Sequence, residues 1–317
     1  MLKRIIASLL SVLLLLACLS ACGGGRREDG TERGTLDEIE RFEGATSLQA
    51  WLDGALTEAA GNGAEWYALS LIKREPTLDY ANYEAALRGA LTGDGITSPV
   101  TKMKCALVLA CLGSSPELVR ETLDGGIGKL GLMSWVFGLH LLNAGYTAES
   151  LTAEDAVETI LSARKSDGGW AITGSVSDVD VTAMTLQALA PNREIPGVAE
   201  AIENALALLA SRQLESGGFK SYGLENAESS AQVLIALACL GVDAAEAGFQ
   251  GGYDRILEGI LQFATGSGGF SHEIGGDANE LATSQVYLAL SAALASRDGK
   301  TSVYLPGVAP GSFSSGK

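Results

Sequence analysis

The chain has 317 residues, of which 47 % are hydrophobic, and a formal net charge of −16. This acidity argues against nucleic acid as a partner, because phosphates require a basic protein face. It also argues against adhesion to anionic lipid through charge. The length is sufficient for one large hydrophobic core.

The N-terminus has the order of a secretory signal, with two basic residues before an apolar run over residues 5–21. The run ends in Leu19-Ser20-Ala21-Cys22, which resembles the lipobox of bacterial lipoproteins, where the Cys is acylated and becomes the new N-terminus. A second match ending at Cys18 stays open, although the polar stretch after Cys22 favours Cys22. The run is shorter than the ~20 residues of a membrane span. We therefore predict a signal peptide over residues 1–21 and an exported protein anchored by lipid to the bacterial cell membrane.

Two polar segments flank the predicted folded part. Residues 22–35 are rich in Gly, Arg, Glu and Asp, so they bury too little surface to fold and are predicted to form a flexible tether. Residues 298–317 are rich in Gly, Ser and Pro and are predicted to be a disordered tail. The folded domain is therefore predicted over residues 36–297.

Within this domain, two kinds of helical segment alternate between Gly, Pro, Asn and Asp turn residues. One kind is amphipathic, with apolar residues at helical spacing and charges between them. The amphipathic segments are residues 47–60, 79–92, 116–124, 152–165, 197–213 and 253–265. The other kind is apolar nearly all round. The apolar segments are residues 64–73, 100–112, 132–144, 180–190, 227–240 and 279–295.

A helix that is apolar on every side must be surrounded by protein. Six exposed helices alternating with six buried ones therefore predict an all-α fold with two concentric rings, an α6/α6 toroid of six inner and six outer helices. An open α-solenoid also alternates, but its inner helices line a concave surface and keep a polar stripe. A closed ring explains the all-round apolarity better.

The cysteines and one histidine of the domain lie in apolar stretches. Cys105, Cys111 and Cys239 are odd in number and predicted to be buried thiols outside any disulfide. His140 lies in an apolar helix and is predicted to be a core residue.

Three Gly-Gly-aromatic loops recur in the second half of the chain. They are Asp167-Gly168-Gly169-Trp170, Ser216-Gly217-Gly218-Phe219 and Ser267-Gly268-Gly269-Phe270. After each loop, an acid and a small hydroxyl residue open the next buried segment. These pairs are Asp180 with Thr182, Glu228 with Ser230, and Glu280 with Thr283. Such residues fit a helix N-terminus, so all six are candidate helix caps.

The loops and the apolar helices behind them resemble the repeats of the terpenoid cyclase and protein prenyltransferase superfamily, whose members share an α/α toroid. Within it, the stretch from Asp178 to Leu189 is most similar to bacterial exported lipoproteins with prenyltransferase- or squalene-cyclase-like repeats. Those proteins in turn resemble cobalamin carriers of the intrinsic factor and transcobalamin type. The resemblance implies a toroid and allows a corrinoid as a ligand, with no cofactor otherwise.

The same resemblance raises two kinds of chemistry. Class II terpene cyclases use an Asp-x-Asp-Asp motif, whereas this chain has Asp178-Val179-Asp180-Val181, so Asp178 and Asp180 are catalytic candidates only if the chain is cyclase-like. Prenyltransferases hold a zinc ion with an Asp, a Cys and a His. Besides His140, the only histidine here is His272, and no Cys stands at a matching distance from it. No metal site is predicted.

In a toroid the three loops would converge on one end of the barrel, where a concave mouth with aromatic and acidic groups is a candidate ligand site. The predicted ligand-binding residues are Trp170, Asp178, Asp180, Phe219, Tyr222, Glu228, Phe270, His272 and Glu280. The alternative is that the aromatic rings plug the barrel and the acids cap helices.

The functional hypothesis is a non-catalytic surface lipoprotein that binds a small molecule or a protein: a corrinoid, a glycan, a peptide or a protein partner. It would contact the membrane only through its N-terminal lipid and would not bind nucleic acid. An enzyme acting on an isoprenoid is the alternative, and a purely structural surface module is the third possibility.

Overall fold

The structure is a computed structural model that describes residues 45–266, 269–297 and Tyr304. These residues form twelve α-helices and one small hairpin. The helices are α1 (Ala45–Trp51), α2 (Glu65–Arg74), α3 (Ala81–Thr92), α4 (Pro99–Leu112), α5 (Pro116–Gly126), α6 (Gly131–Asn143), α7 (Ala153–Ser162), α8 (Val179–Leu189), α9 (Val198–Ser211), α10 (Ala227–Leu240), α11 (Gly252–Leu261) and α12 (Glu280–Arg297). The strands are β1 (Lys220–Ser221) and β2 (Leu224–Glu225), which pair antiparallel.

Two short helical turns of other types extend these elements. A π-helical segment, Leu52–Leu56, continues α1, and a 3-10 turn, Ala190–Asn192, continues α8. Every segment predicted to be helical overlaps one observed helix, so the helix prediction is confirmed. The predicted signal peptide, Cys22, the tether and residues 36–44 lie outside the described residues.

The even-numbered helices are the buried ones. In α10, every residue except Cys239 is buried. The odd-numbered helices bury one face, and α7 buries only Ala156, Val157 and Ile160. This contrast follows from the sequence, because α10 has only Glu228 as a charged residue while α7 carries Glu154, Asp155 and Glu158.

The even-numbered helices contact one another in the order α2, α4, α6, α8, α10 and α12, and α12 packs back against α2. The order of contacts is therefore closed. The odd-numbered helices α5, α7, α9 and α11 pack against α4, α6, α8 and α10, respectively. An open solenoid would leave its last inner helix far from its first.

Three of the even-numbered helices begin with the same kind of cap. Asp178, Asn226 and Asn279 accept the backbone N–H three residues later, at 3.0, 2.8 and 3.0 Å, at the starts of α8, α10 and α12. The prediction that the acid and hydroxyl residues cap these helices is therefore wrong. Asp180 and Glu228 are the second residues of their helices, so their carboxylates are available for other contacts.

The hydroxyl residues of those pairs bind the Gly-Gly-aromatic loops instead. Thr182, Ser230 and Thr283 each accept the backbone N–H of the loop's aromatic residue, at 2.9, 3.0 and 2.9 Å. In return, the cap residue of the same helix donates its N–H to that aromatic residue's carbonyl. We call this arrangement the hydroxyl clasp. It satisfies loop backbone groups that would otherwise be buried without partners.

Tyr304 lies in the segment predicted to be disordered, yet it is only 3 % exposed. Its hydroxyl donates to Oε1 of Gln187 at 2.6 Å, and its ring lies 4.3 Å from the His140 ring. The structure therefore differs from the predicted disorder at this residue, which stands in the short apolar stretch Val303-Tyr304-Leu305 of an otherwise polar tail and gains burial of a large aromatic ring.

The thiols and the core histidine follow the sequence prediction. Cys105 and Cys111 are buried, Cys239 is partly buried, and none of these three thiols forms a disulfide. His140 is buried, and burial lowers its pKa to about 3, so its ring is neutral at physiological pH. In the described part of the chain, no helix has the length and apolarity to cross a membrane.

Candidate functional site

The hairpin stands over the N-terminal ends of two buried helices, since β1 contacts both α8 and α10. Its turn consists of Tyr222 and Gly223, with φ values of 50° and 88°. Two consecutive positive φ values match the turn types that join two-residue hairpins. The Ser221 hydroxyl donates to the Asp178 carboxylate and so ties the hairpin to α8. Tyr222 is thereby held in solvent, 84 % exposed.

A cleft with two lobes lies beside the hairpin, and both lobes are lined by Trp66, Asp180, Met184 and Tyr222. The first lobe, here the apolar lobe, has a volume of about 320 Å³. Its remaining wall includes Val100, Lys104, Met133, Phe137 and Ile172. The second lobe, here the polar lobe, has a volume of about 440 Å³. Its remaining wall includes Asn226, Glu228, Gln232, His272 and Gln285.

Asp180 lies at the boundary between the two lobes. Burial raises its pKa to about 6, and the negative charges of Asp178 and Glu228 act in the same direction, while Ser229 and His272 oppose them. Its Oδ1 atom is buried and has no hydrogen-bond partner. A carboxyl group in such surroundings can retain a proton at a pH where an ordinary Asp has lost it.

Glu228 is a second, differently placed carboxyl group. It lines only the polar lobe, and both of its carboxylate oxygens lie 3.0 Å from Nδ1 of His272. When Nδ1 carries a proton it donates to this carboxylate and fixes its orientation. The cleft thus holds two carboxyl groups in unlike environments, an arrangement that suits an acid and a base.

A row of amide side chains lies beside the polar lobe. Nε2 of Gln187 donates to Oε1 of Gln232 at 2.9 Å, and Nε2 of Gln232 donates to Oε1 of Gln285 at 2.7 Å. Tyr304 donates into the other end of the row through Gln187. The row links α8, α10 and α12, so the amides of Gln232 and Gln285 that line the lobe have fixed positions.

The ammonium group of Lys104 already has partners. Its Nζ lies 3.6 Å from Oε2 of Glu65 and 5.2 Å from the centre of the Trp66 ring. Glu65 is fully buried and also accepts two backbone N–H groups from the preceding turn. Lys104 therefore balances a buried carboxylate and holds the Trp66 ring at the cleft.

The structure brings together five of the predicted ligand-binding residues. These are Asp178, Asp180, Tyr222, Glu228 and His272, all of which line the cleft. Of the other predicted residues, Glu280 lines neither lobe and instead accepts a hydrogen bond from the Tyr67 hydroxyl at 3.3 Å.

Contrary to the prediction, the aromatic residues of the three loops do not face the cleft. Trp170, Phe219 and Phe270 are 0 % exposed. The hydroxyl clasp turns each loop so that its ring packs into the core, and Nε1 of Trp170 donates to the carbonyl of Ile160 at 2.7 Å. They are structural residues, which is the alternative that the sequence left open.

The cleft is also lined by residues that the sequence did not single out, among them Trp66, Met184, Gln232 and Gln285. Trp66 and Met184 look like core residues because their helices are apolar. The signal that could have revealed the glutamines is their placement inside the apolar segments of α10 and α12, where a polar side chain needs a partner. Among the described residues, no group of three or more His, Cys, Asp or Glu side chains is arranged to hold a metal ion.

No family model and no curated protein sequence matches the chain. Among the solved structures that do match is a polysaccharide lyase, with a TM-score of 0.54 at 10 % sequence identity. The match covers 79 % of this chain and 98 % of the lyase chain. At this identity the likeness shows the fold alone: a predominantly helical fold of the toroid type.

This likeness corrects the functional expectation. The sequence favoured a non-catalytic binding lipoprotein, with an isoprenoid-acting enzyme as the alternative. A solved structure that the chain resembles is instead a polysaccharide lyase, which speaks against both expectations, so neither is carried further. The predicted kinship with terpenoid cyclases, prenyltransferases and cobalamin carriers receives no support from these comparisons.

Proposed function

We propose that the chain is a carbohydrate-acting enzyme that hydrolyses a glycosidic bond, built on an α6/α6 toroid. The closed order of helix contacts and the likeness to a polysaccharide lyase support the fold assignment. One observation carries the function: Asp180, with its pKa raised to about 6, and Glu228 line one cleft and interact electrostatically. A pair of carboxyl groups in one cleft, one of them kept protonated by its surroundings, is the machinery of glycoside hydrolysis.

The two carboxyl groups have different tasks in this proposal. Protonated Asp180 gives its proton to the glycosidic oxygen as the bond from that oxygen to the anomeric carbon breaks. A water molecule attacks the anomeric carbon and transfers one proton to Glu228. His272 positions Glu228 through Nδ1. Because Asp180 must be protonated, the rate should fall as the pH rises through about 6.

Elimination, the alternative way to cleave a polysaccharide, fits the cleft less well. It requires a uronate substrate, whose carboxylate must be neutralised before a proton leaves the adjacent carbon. The lining carries the carboxylates of Asp178 and Glu228, which repel such a group. The charge of Lys104, the one basic side chain in the apolar lobe, is already balanced by the buried Glu65.

The rest of the lining suits a neutral sugar. The side-chain amides of Asn226, Gln232 and Gln285 offer donors and acceptors for hydroxyl groups. Trp66 and Tyr222 supply aromatic surface to both lobes. Concave sites with apolar walls and a few fixed polar groups are the usual form of small-molecule sites.

The cellular place of this enzyme is part of the proposal. The signal peptide and the lipid anchor at Cys22 would put it outside the cytoplasm, where polysaccharides are encountered. Replacing Cys22 with Ser should abolish the incorporation of radiolabelled fatty acid, because it removes the thiol that carries the lipid.

Activity measurements on a panel of polysaccharides test the function. Purified protein should create new reducing ends without the ultraviolet absorbance of unsaturated uronic acids. Asp180→Asn and Glu228→Gln should each lower kcat by a factor on the order of 10²–10⁴, as expected for loss of an acid or a base. Asp277→Asn is the matched control, because Asp277 is exposed and lines neither lobe.

Three results would contradict the proposal. Unsaturated products would replace hydrolysis with elimination. Full activity of the Asp180→Asn and Glu228→Gln variants would remove the two carboxyl groups from the chemistry. A complete absence of new reducing ends across neutral and acidic polysaccharides and across aryl and alkyl glycosides would overturn the enzyme itself.

A further inference from the structure

The wall of the apolar lobe is mostly carbon and thioether surface, which Val100, Met133, Phe137 and Ile172 present. A sugar ring buried against that wall would lose water from its hydroxyl groups without compensation.

Two polar side chains at this lobe, Asp178 and Lys104, already have partners. Oδ1 of Asp178 accepts the Val181 N–H, and its Oδ2 accepts the Ser221 hydroxyl. Nζ of Lys104 is paired with Glu65. The lobe is therefore suited to an apolar group, in contrast to the amide-lined polar lobe.

The position of the acid relates the two lobes to a scissile bond. Asp180 lines both lobes, as the donor to a bridging oxygen should. Glu228 lines only the polar lobe, where a group that acts on the anomeric carbon should lie. The sugar whose bond is cleaved thus belongs in the polar lobe, and the leaving group belongs in the apolar lobe.

We infer that the apolar lobe binds an apolar aglycone, so that the substrate is an amphipathic glycoside with a neutral sugar on one side of Asp180 and an aryl or alkyl leaving group on the other. This inference rests on the proposed function and names its substrate class. Ile172, 59 % exposed, is the accessible edge of the aglycone site.

Binding of thioglycosides, whose sulfur link resists hydrolysis, tests the inference apart from turnover. S-phenyl and S-methyl thioglycosides of glucose, galactose, mannose, xylose and N-acetylglucosamine, in both anomers, are titrated calorimetrically. For the sugar that binds, the phenyl compound should bind at least about tenfold more tightly than the methyl compound, because its ring is buried in the apolar lobe.

Matched variants locate the phenyl group. Ile172→Asn and Val100→Asn should each reduce the phenyl-to-methyl affinity ratio at least about threefold, because both place an amide in the apolar wall. Leu281→Asn should leave the ratio unchanged, since Leu281 is similarly exposed, at 52 %, but lines the polar lobe. Circular dichroism melting confirms that the variants are folded.

The outcomes separate this inference from the proposed function. A ratio near one, or a ratio insensitive to Ile172→Asn and Val100→Asn, overturns the aglycone site while polysaccharide cleavage still supports the enzyme. Failure of every thioglycoside to bind, together with no cleavage, overturns both.

Discussion

At the scale of single residues, Asp180 makes opposite contributions to stability and to the proposed chemistry. Its pKa of about 6 in the folded protein exceeds the ordinary value of 3.8. A carboxyl group with a raised folded-state pKa favours the folded state below pH 3.8, and this advantage is lost as the pH rises through about 6. At pH 8 the ionised group lowers the free energy of unfolding by up to about 3 kcal/mol.

The variant Asp180→Asn should therefore raise the free energy of unfolding at pH 8 and have little effect near pH 4. Urea denaturation at both pH values measures the difference, with Asp277→Asn as the exposed control. A helix cap would behave in the opposite way, because its loss destabilises a protein by about 0.5–2 kcal/mol. Destabilisation by Asp180→Asn at pH 8 would show that the carboxylate serves the fold.

How far the sequence predicted the site differs from residue to residue. Asp178, Asp180, Glu228 and His272 follow repeated loops, and the convergence of those loops could be expected from the repeat alone. The burial of Trp170 could not be expected in this way, because that burial depends on a hydrogen bond from the Trp170 backbone to Thr182, twelve residues later. A sequence shows that an aromatic ring is present in a loop but not which way the loop turns.

At the scale of elements, the Gly-Gly-aromatic loops are held between an inner and an outer helix. On the inner side the hydroxyl clasp binds the loop. In the second loop, α11 approaches from the other side. An added Cβ at Gly259 of α11 would lie 2.3 Å from the Gly218 nitrogen and 2.6 Å from the Gly217 carbonyl carbon. These neighbours are backbone atoms, which cannot move aside as a flexible side chain can.

Gly259→Ala should thus lower the free energy of unfolding by about 1–3 kcal/mol or more, because the loop and the helix must separate. Gly89→Ala is the matched control: Gly89 lies in α3, is exposed, and has no atom within 4 Å of an added Cβ. There the change should stabilise the protein by about 0.5–1 kcal/mol, as for other exposed helix positions. Equal effects of the two variants in urea denaturation would show that the close approach is not maintained in solution.

Elements were predicted well where one physical signal dominates. Apolar periodicity located all twelve helices, since packing of an apolar face decides helix formation. The caps were misplaced because Asp178 and Asp180 are both suitable residue types, and the tertiary fold chooses between them. The hairpin was missed because its strands, Lys220–Ser221 and Leu224–Glu225, are too short to show alternation.

At the scale of the whole molecule, the ring of inner helices closes between its first and last members. The Tyr67 ring of α2 lies 6.0 Å from the Tyr287 ring of α12, and the Tyr67 hydroxyl donates to Glu280. Closure was expected from the all-round apolarity of the inner helices. The part played by a residue beyond the last helix was not, because Gly, Ser and Pro dominate its surroundings in the sequence.

That residue, Tyr304, connects three inner helices at once. Its ring packs against His140 of α6, its carbonyl accepts from the Cys111 thiol of α4, and its hydroxyl donates to Gln187 of α8. Tyr304→Ala should lower the free energy of unfolding by about 3–5 kcal/mol, as for other large buried aromatic residues. Tyr304→Phe should lower it by about 1–3 kcal/mol, because Oε1 of Gln187 loses its donor.

Urea denaturation measures both effects, and Tyr222→Ala provides the matched control. Tyr222 is exposed and has no packing to lose, so its removal should change stability by less than about 0.5 kcal/mol. If Tyr304→Ala proves as mild as Tyr222→Ala, the residue does not occupy the ring in solution. If the loss of stability is largest for Tyr304→Ala, smaller for Tyr304→Phe and smallest for the control, Tyr304 is part of the fold. The row of glutamines beside the polar lobe then depends on it, because the hydroxyl of Tyr304 is the first donor of that row.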